Sequence, residues 1–334
     1  MHTQPFKALM LEQDGQEVRP YLRELTLNDL PEGEVLVQVH YSSLNYKDSM
    51  ALANKGIIRK FPAIPGIDFS GVVVESSSPA HKAGDQVVLT GWGVGERFWG
   101  GYSQYARVKA EWLVPLPAGL SLLQAMQVGT AGFTAMLCVD ALEHYGIEPG
   151  SGPVVVTGAS GGVGSVALPI LAARGYEVWA LTGSQSNGDE LKALGASKVV
   201  SREEYAQASK PGRPIMEPES FAAVIDTVGG DLLAQLIARV AYGGAVAACG
   251  LVGGTNVDTT VFPFIIRGVS LLGIDSVRCP SAKRQRIWQR VAQDLPLDAL
   301  ARASRTVSLE QVINEAARMI AGHGKGRVVV SLQD

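Results

Sequence analysis

One stretch constrains the fold of this chain more than any other: Pro153-Val154-Val155-Val156-Thr157-Gly158-Ala159-Ser160-Gly161-Gly162-Val163-Gly164-Ser165. A short β-branched run enters a glycine-dense turn. The apolar pattern Val166-Ala167-Leu168-Pro169-Ile170-Leu171-Ala172-Ala173 leaves it. Strand, tight turn and helix in that order open a dinucleotide-binding βαβ unit. The pattern G-x-G-x-x-G falls on Ala159, Gly161 and Gly164, so alanine replaces its first glycine. Gly161 lets the backbone approach a pyrophosphate, and Gly164 lets the helix pack close to the sheet. Free N–H groups at the helix start then meet anionic phosphates. An ordinary tight turn has the same composition. The flanking strand and helix, with a second βαβ beyond, favour the nucleotide.

The next strand, Tyr176 to Thr182, ends in Gly183-Ser184. About 20 residues after such a turn, a site for NAD usually carries Asp or Glu on the ribose 2′-hydroxyl. Here Thr182-Gly183-Ser184 offers no carboxylate. Small hydroxylated residues leave room for a 2′-phosphate. Arg202, after the expected third strand Ser197–Val200, can balance its charge. NADPH is therefore expected over NADH. Alternatively, Ser184 is a turn residue and Arg202 a solvated surface charge.

At 334 residues, two domains are the natural prior. Hydrophobic content of 46% and charged content of 18% describe a globular chain with a large core. A net charge of −3 argues against nucleic acid or an acidic membrane as partner. Cys138, Cys249 and Cys279 form no C-x-x-C pair and no even-numbered disulfide framework, which fits a reducing compartment, the cytoplasm. Residues Met1 to Lys7 carry no signal pattern, and no run of 18 apolar residues suggests a membrane span.

From Lys7 to about Leu116 the chain reads as β-structure. Ala8–Leu11, Glu34–Tyr41, Gly71–Val74 and Asp85–Leu89 are short apolar or alternating runs between turn signals. Val35, Val37 and Val39 share one face, which leaves His40 on the solvent side. A small barrel is expected. The loops Gly91–Gly95 and Trp99–Tyr102 either line a cleft or are tight turns covered by aromatics. From Leu122 the pattern turns helical. Strands at Phe221–Ile225, Ala245–Cys249 and Val269–Ile274, with helices at Asp189–Leu194 and Asp231–Val240, imply a parallel α/β sheet. Ser209–Pro214 reads as a surface loop. The basic stretch Lys283 to Val291 is a helix whose Ile287 and Val291 face inward, with Lys283, Arg284 and Arg290 in water, or else a site for a polyanion. The final strand Gly326–Leu332 should return to the N-terminal domain.

Taken together, Ser42-Ser43-Leu44-Asn45-Tyr46-Lys47-Asp48, Pro65-Gly66-Ile67-Asp68-Phe69-Ser70-Gly71, Gly129-Thr130-Ala131-Gly132-Phe133-Thr134-Ala135 and Gly158 to Gly164 resemble the medium-chain dehydrogenase/reductase superfamily in order and content. The resemblance implies a GroES-like β-barrel domain, residues 1–124 and 300–334, and a Rossmann domain of doubly wound parallel sheet, residues 125–299. It implies an active site in the cleft between them. Zinc alcohol dehydrogenases of this superfamily place a cysteine and a His-Glu pair where this chain has Asn45-Tyr46 and Ile67-Asp68. A tetrahedral zinc site would lack ligands, so no metal is expected. What remains resembles the quinone oxidoreductase and enoyl reductase branch. Leu89 to Glu96 and Asp275-Ser276-Val277 narrow this to the NADPH-dependent acryloyl-CoA reductases. By that resemblance Tyr46, Ser160, Gly161, Gly162, Val163, Thr182, Gly183, Ser184, Arg202, Leu251, Ile265 and Ser276 contact the cofactor.

The chemistry implied is conjugate reduction of a short α,β-unsaturated acyl-CoA. Such a site must exclude water, hold the β-carbon near the nicotinamide and donate hydrogen bonds to a developing enolate. Tyr46, Asn45 and Asp68 are the candidate catalytic residues: a phenol donor, an amide donor and an acid. Tyr46 could instead be a packing aromatic and Asp68 a turn or ion-pair carboxylate. Phe262 to Ile266 either walls the nicotinamide or plugs a domain interface. A quinone reductase and a non-catalytic NADPH-binding protein remain alternatives. The strand Val269–Ile274, last in its sheet, suggests an edge-to-edge homodimer.

Overall fold

The computed structural model describes residues 5–183, 187–206 and 216–333. The chain forms two compact units. One comprises Met1–Thr130, Ser276–Ala292 and Ala301–Asp334; the other comprises Ala131–Asp275 and Gln293–Leu300.

In the first unit the hub is the strand Val35–Leu44. Its first half pairs antiparallel with Tyr105–Val108, and Tyr41 to Leu44 pairs with Arg327–Ser331 on the same side. Its other side carries Asp68–Ser76, followed by Gln86–Thr90 and Leu113–Pro115. Ser304–Ser308 lies parallel to Arg327–Ser331 and completes the seven-stranded sheet. Val35, Val37 and Val39 face the core as their alternation requires, but Leu36 is buried too. His40 is half-buried, with Nδ1 2.8 Å from Gln333 Nε2, and burial pushes its pKa down. A hairpin of Phe6–Asp14 and Glu17–Leu25 adds a second sheet. Its second strand escaped the sequence reading because only Leu25 is fully buried and no apolar alternation marks the rest. Leu9, Leu36, Val37, Phe69, Leu89 and Val330 belong to this unit's core.

The second unit is a six-stranded parallel sheet in the order Lys198–Ser201, Val178–Thr182, Val154–Thr157, Phe221–Asp226, Val240–Ala248, Ser270–Gly273. In chain order this is 3-2-1-4-5-6, the doubly wound arrangement whose ligand crevice lies where the order reverses. That point falls between Val154–Thr157 and Phe221–Asp226.

One expected boundary fails here. The helix assigned to Asp231–Val240 stops at Ile237, and Val240 opens the next strand. Leu232, Leu233, Leu236, Ile237 and Val240 are all buried, so the helical period ran on into a strand position. Gly243, at φ 70°, and Gly244 form the irregular entry to that strand.

Leu122–Tyr145 forms one long helix broken at Gly129, where φ is 53° and ψ −160°. By length and composition it could cross a bilayer, but 83% of its most apolar window is buried inside the protein. A place in the core accounts for that composition. The expected loop Ser209–Pro214 lies outside the described residues.

Candidate active site and cofactor turn

Asn45 follows the hub strand and caps the helix Tyr46–Leu52. Its backbone N–H donates to Asp48 Oδ2 at 2.9 Å, which satisfies a free donor at the helix start. Asp48 Oδ1 accepts from Ile67 N at 2.9 Å, so one buried carboxylate ties the Asn45 motif to the Asp68 motif. Asp68 is fully enclosed. It accepts from Ser43 N (3.0 Å), Ser43 Oγ (2.8 Å), Asn45 Nδ2 (3.0 Å) and Thr130 N (2.8 Å).

Arg327 brings the opposite charge. It is 1% exposed. Nη2 donates to Ser43 Oγ at 2.8 Å, Nη1 to Asn45 Oδ1 at 3.3 Å and Nε to Gln127 O at 2.9 Å. Gly129 is required beside it: a Cβ there would overlap the guanidinium and Ser43 Oγ. Burial, then the neighbouring Asp68, push the Asp48 carboxyl up to about 7, against the hydrogen bonds it accepts. Burial also lowers the Arg327 pKa, with both carboxylates opposing. Tyr102, whose hydroxyl donates to Ser43 O at 3.2 Å, is held neutral by burial and by the two carboxylates.

Asn45 and Asp68, foreseen as candidates, are therefore joined in one network. The Asn45 amide hydrogens point inward, at Asp68 Oδ2 (3.0 Å), Asp48 Oδ2 (3.2 Å) and Ser43 Oγ (3.2 Å). Tyr46 stands apart from the network. It is 40% exposed, and its hydroxyl has no hydrogen-bond partner among the described residues. Arg327, Ser43 and Tyr102 escaped the sequence reading. The one local signal was a cation leading the apolar triplet Val328-Val329-Val330.

Arg284, expected in water, is buried instead. It is 1% exposed and shares the buried helix face with Ile287, Trp288 and Val291, at i, i+3, i+4 and i+7. Nη1 donates to Thr90 O at 2.6 Å, and Nη2 to Ser276 O and Val277 O at 3.1 Å each. The guanidinium lies 4.9 Å from the Trp92 ring centre. Trp92, at φ 59°, donates its backbone N–H to Val277 O at 3.0 Å. This explains why Ser276–Ala292 packs in the first unit, although the sequence division placed it in the nucleotide-binding domain. The loop at Gly91–Gly95 is a tight turn pinned from beneath. Ser276 is half-buried, with its carbonyl committed to Arg284.

In the second unit, Gly158 turns the chain at φ 56° and Gly161 N donates to its carbonyl at 2.8 Å. The helix Gly164–Ala173 then begins. A Cβ on Gly164 would press on Gly158 O and Ala159 Cα, and one on Gly158 would overlap Thr227 Oγ1. Ala159 is fully buried, which is why alanine serves at that position. Ser160, Gly161, Gly162 and Val163 are half-buried, and the N–H groups of Ser160, Gly162 and Val163 have no acceptor among the described residues. Thr157 Oγ1 donates to Asp226 Oδ1 at 2.8 Å and accepts from Thr227 N at 2.9 Å, locking the two strands at the order reversal. A glycine-rich turn with backbone donors that have no acceptor among the described residues fits a pyrophosphate.

The remaining candidates divide. The Arg202 guanidinium carbon lies 3.5 Å from where a Gly183 Cβ would sit, so those two meet. Thr182 is buried in the sheet. Ser184 lies outside the described residues. Leu251, past the end of Val240–Ala248, and Ile265, in the helix Phe262–Arg267, are exposed.

Two family models match: "Alcohol dehydrogenase GroES-like domain" over residues 31–118 and "Zinc-binding dehydrogenase" over residues 162–293. The chain belongs to the medium-chain dehydrogenase/reductase superfamily. Within it, the chain is 52% identical to acrylyl-CoA reductase AcuI of Ruegeria pomeroyi, over 98% of this chain and 99% of that protein. The crystal structure of Escherichia coli K-12 YhdH with bound NADPH superposes with a TM-score of 0.94 at 50% identity, covering 98% of this chain and 100% of that one. Bacillus subtilis yhfP, solved with NAD bound, gives a TM-score of 0.94 at 44% identity, covering 98% and 99%.

The residues present do not fit the zinc that one model's description names. Asn45, Tyr46, Ile67 and Asp68, which the resemblance sets at the ligand positions, offer neither thiolate nor imidazole. Among the described residues no group of three or more His, Cys, Asp or Glu could hold a metal ion.

Proposed function

We propose that this chain is an NADPH-dependent reductase of the C=C bond of short α,β-unsaturated acyl-CoA thioesters, taking acryloyl-CoA to propanoyl-CoA. The observation that carries the proposal is the buried Asn45–Asp48–Asp68–Arg327 network, at positions that the resemblance equates with a zinc site, with Tyr46, whose hydroxyl has no partner among the described residues, directly after Asn45. The full-length likeness to acrylyl-CoA reductase AcuI supports the same substrate.

The turn Gly158–Gly164 would hold the cofactor pyrophosphate, with Ser160 to Val163 donating backbone N–H groups. Gly183 and Arg202 would meet the 2′-phosphate. Leu251, Ile265 and Ser276 are proposed as further cofactor contacts. NADPH, when bound, supplies the hydride for the substrate β-carbon. Tyr46 then donates a hydrogen bond to the thioester oxygen as negative charge develops there. Asn45 and Asp68 act as positioning residues: their polar atoms are spent on each other, and together they fix the start of the helix that carries Tyr46. We also infer a homodimer built on the edge strand Ser270–Gly273, where Leu271 is 44% exposed. A monomer in sedimentation at micromolar concentration would refute that assembly.

The test is NADPH oxidation with acryloyl-CoA against a benzoquinone. Turnover of the thioester with little of the quinone supports the proposal. The reverse preference identifies a quinone reductase, and tight NADPH binding without turnover of either a non-catalytic protein.

A further inference from the structure

The basic stretch at Lys283–Arg290 is not free to meet a polyanion. Arg284 turns into the core, and Lys283, Arg286 and Arg290 are engaged within the protein. Several exposed cations without an ion pair among the described residues lie on the segments around Glu96 in the first unit. Lys47, one residue after Tyr46, places Nζ 2.8 Å from Glu96 Oε1. Arg59 donates its backbone N–H to Glu96 O at 2.9 Å, and Lys60 follows it. Arg97 follows Glu96, with side-chain carbons 3.6–3.8 Å from where a Gly93 Cβ would be. Lys47 pairs with the Glu96 carboxylate, while Arg59, Lys60 and Arg97, on the segments joined at Glu96, add three exposed cations with no ion pair among the described residues. Beside Arg97, Phe98 is 45% exposed, its ring 4.8 Å from that of Trp112.

Unbalanced cations with an open aromatic face suit a phosphorylated nucleotide: phosphates meet the charges and a base meets the ring. We propose that Arg59, Lys60 and Arg97 receive the 3′-phospho-ADP end of the acyl-CoA, with Phe98 beside its adenine. The inference deepens the enoyl-thioester reading and rests on it for the choice of ligand. A long flexible pantetheine arm allows the phosphates to bind away from the reacting thioester, so this patch selects the carrier while the Tyr46 side selects the acyl group. NADPH carries the related 2′-phospho-ADP, and the experiment separates the two.

The experiment uses the full chain and a triple variant, Arg59→Ala, Lys60→Ala, Arg97→Ala, all at exposed positions. Binding of coenzyme A itself is measured by calorimetry on NADPH-saturated protein, and kcat/KM is measured for acryloyl-CoA and acryloyl-pantetheine. The expected result is coenzyme A binding weakened by about ten-fold in total, as fits several exposed charge contacts. The wild-type affinity should fall with added salt. The preference for acryloyl-CoA over acryloyl-pantetheine should fall by a similar factor. Unchanged coenzyme A affinity overturns the proposal. So does an equal loss with both thioesters, which would mark a structural role, or weakened NADPH binding alone, which would assign the patch to the cofactor. If the wild type reduces neither thioester, the enzymatic reading falls, and the calorimetry still decides whether the patch binds coenzyme A.

Discussion

The two halves of the functional apparatus are made of different material. The turn at Gly158–Gly164 is proposed to act through its backbone N–H groups, with glycine at four of its seven positions, and its residues are contiguous. The network at Asn45, Asp48, Asp68 and Arg327 is almost all side chain, gathered from positions up to 284 residues apart, as in the bond from Arg327 Nη2 to Ser43 Oγ. A backbone site tolerates changes that keep the chain's path. A buried charged network does not, because removing one member leaves another charge without its partner in low dielectric.

The largest expected effect tests that fragility. Arg327→Met keeps much of the volume but strands Asp68 and Asp48. It should destabilise the fold by about 3–5 kcal/mol in urea unfolding. A loss under about 1 kcal/mol would mean that the network is not held by charge.

The second effect is pH dependence. Folded Asp48 keeps its proton to about pH 7, whereas an unfolded aspartate releases it near pH 4. The folded state therefore binds more protons in that window. Stability from this group is greatest below the unfolded value and falls by a few kcal/mol as pH rises from about 4 through 7. Asp48→Asn should flatten that slope in a series of melting temperatures. A slope as steep in the variant would assign the effect to another group.

Tyr46→Phe separates chemistry from architecture. The hydroxyl has no partner among the described residues, so the melting temperature should hold. Single-turnover NADPH oxidation with acryloyl-CoA should slow about ten- to a thousand-fold, with kcat and kcat/KM falling together. An unchanged rate would leave backbone donors or water to settle the enolate.

The smallest effect belongs to the backbone site. Arg202 is exposed, so Arg202→Ala should weaken NADPH binding by only about 0.5–1.5 kcal/mol and leave NADH nearly unchanged. Equal losses for both cofactors would make Arg202 structural. The NAD found with Bacillus subtilis yhfP makes this comparison informative.

Local chemistry decided what the sequence determined by itself. The β-branched run into Gly158–Gly164, the absence of a carboxylate at Thr182-Gly183-Ser184 and the lone terminal strand are properties of neighbouring residues. Short-range patterns therefore carried the doubly wound sheet and most of the barrel strands. Tertiary structure alone decided the rest. Val240 is buried whether it ends a helix or begins a strand, so periodicity could not place that boundary. Asp68 is an acid in any list of residues. Only packing against Ser43, Asn45, Thr130 and Arg327 makes it an enclosed acceptor rather than a proton donor at a surface. Arg284 had the spacing of a core residue, yet its charge argued for water until five neighbouring acceptors, three of them the carbonyls of Ser276, Val277 and Cys279, were brought around it. A buried ion is stable only where distant segments converge to solvate it, and no local window of sequence contains that convergence.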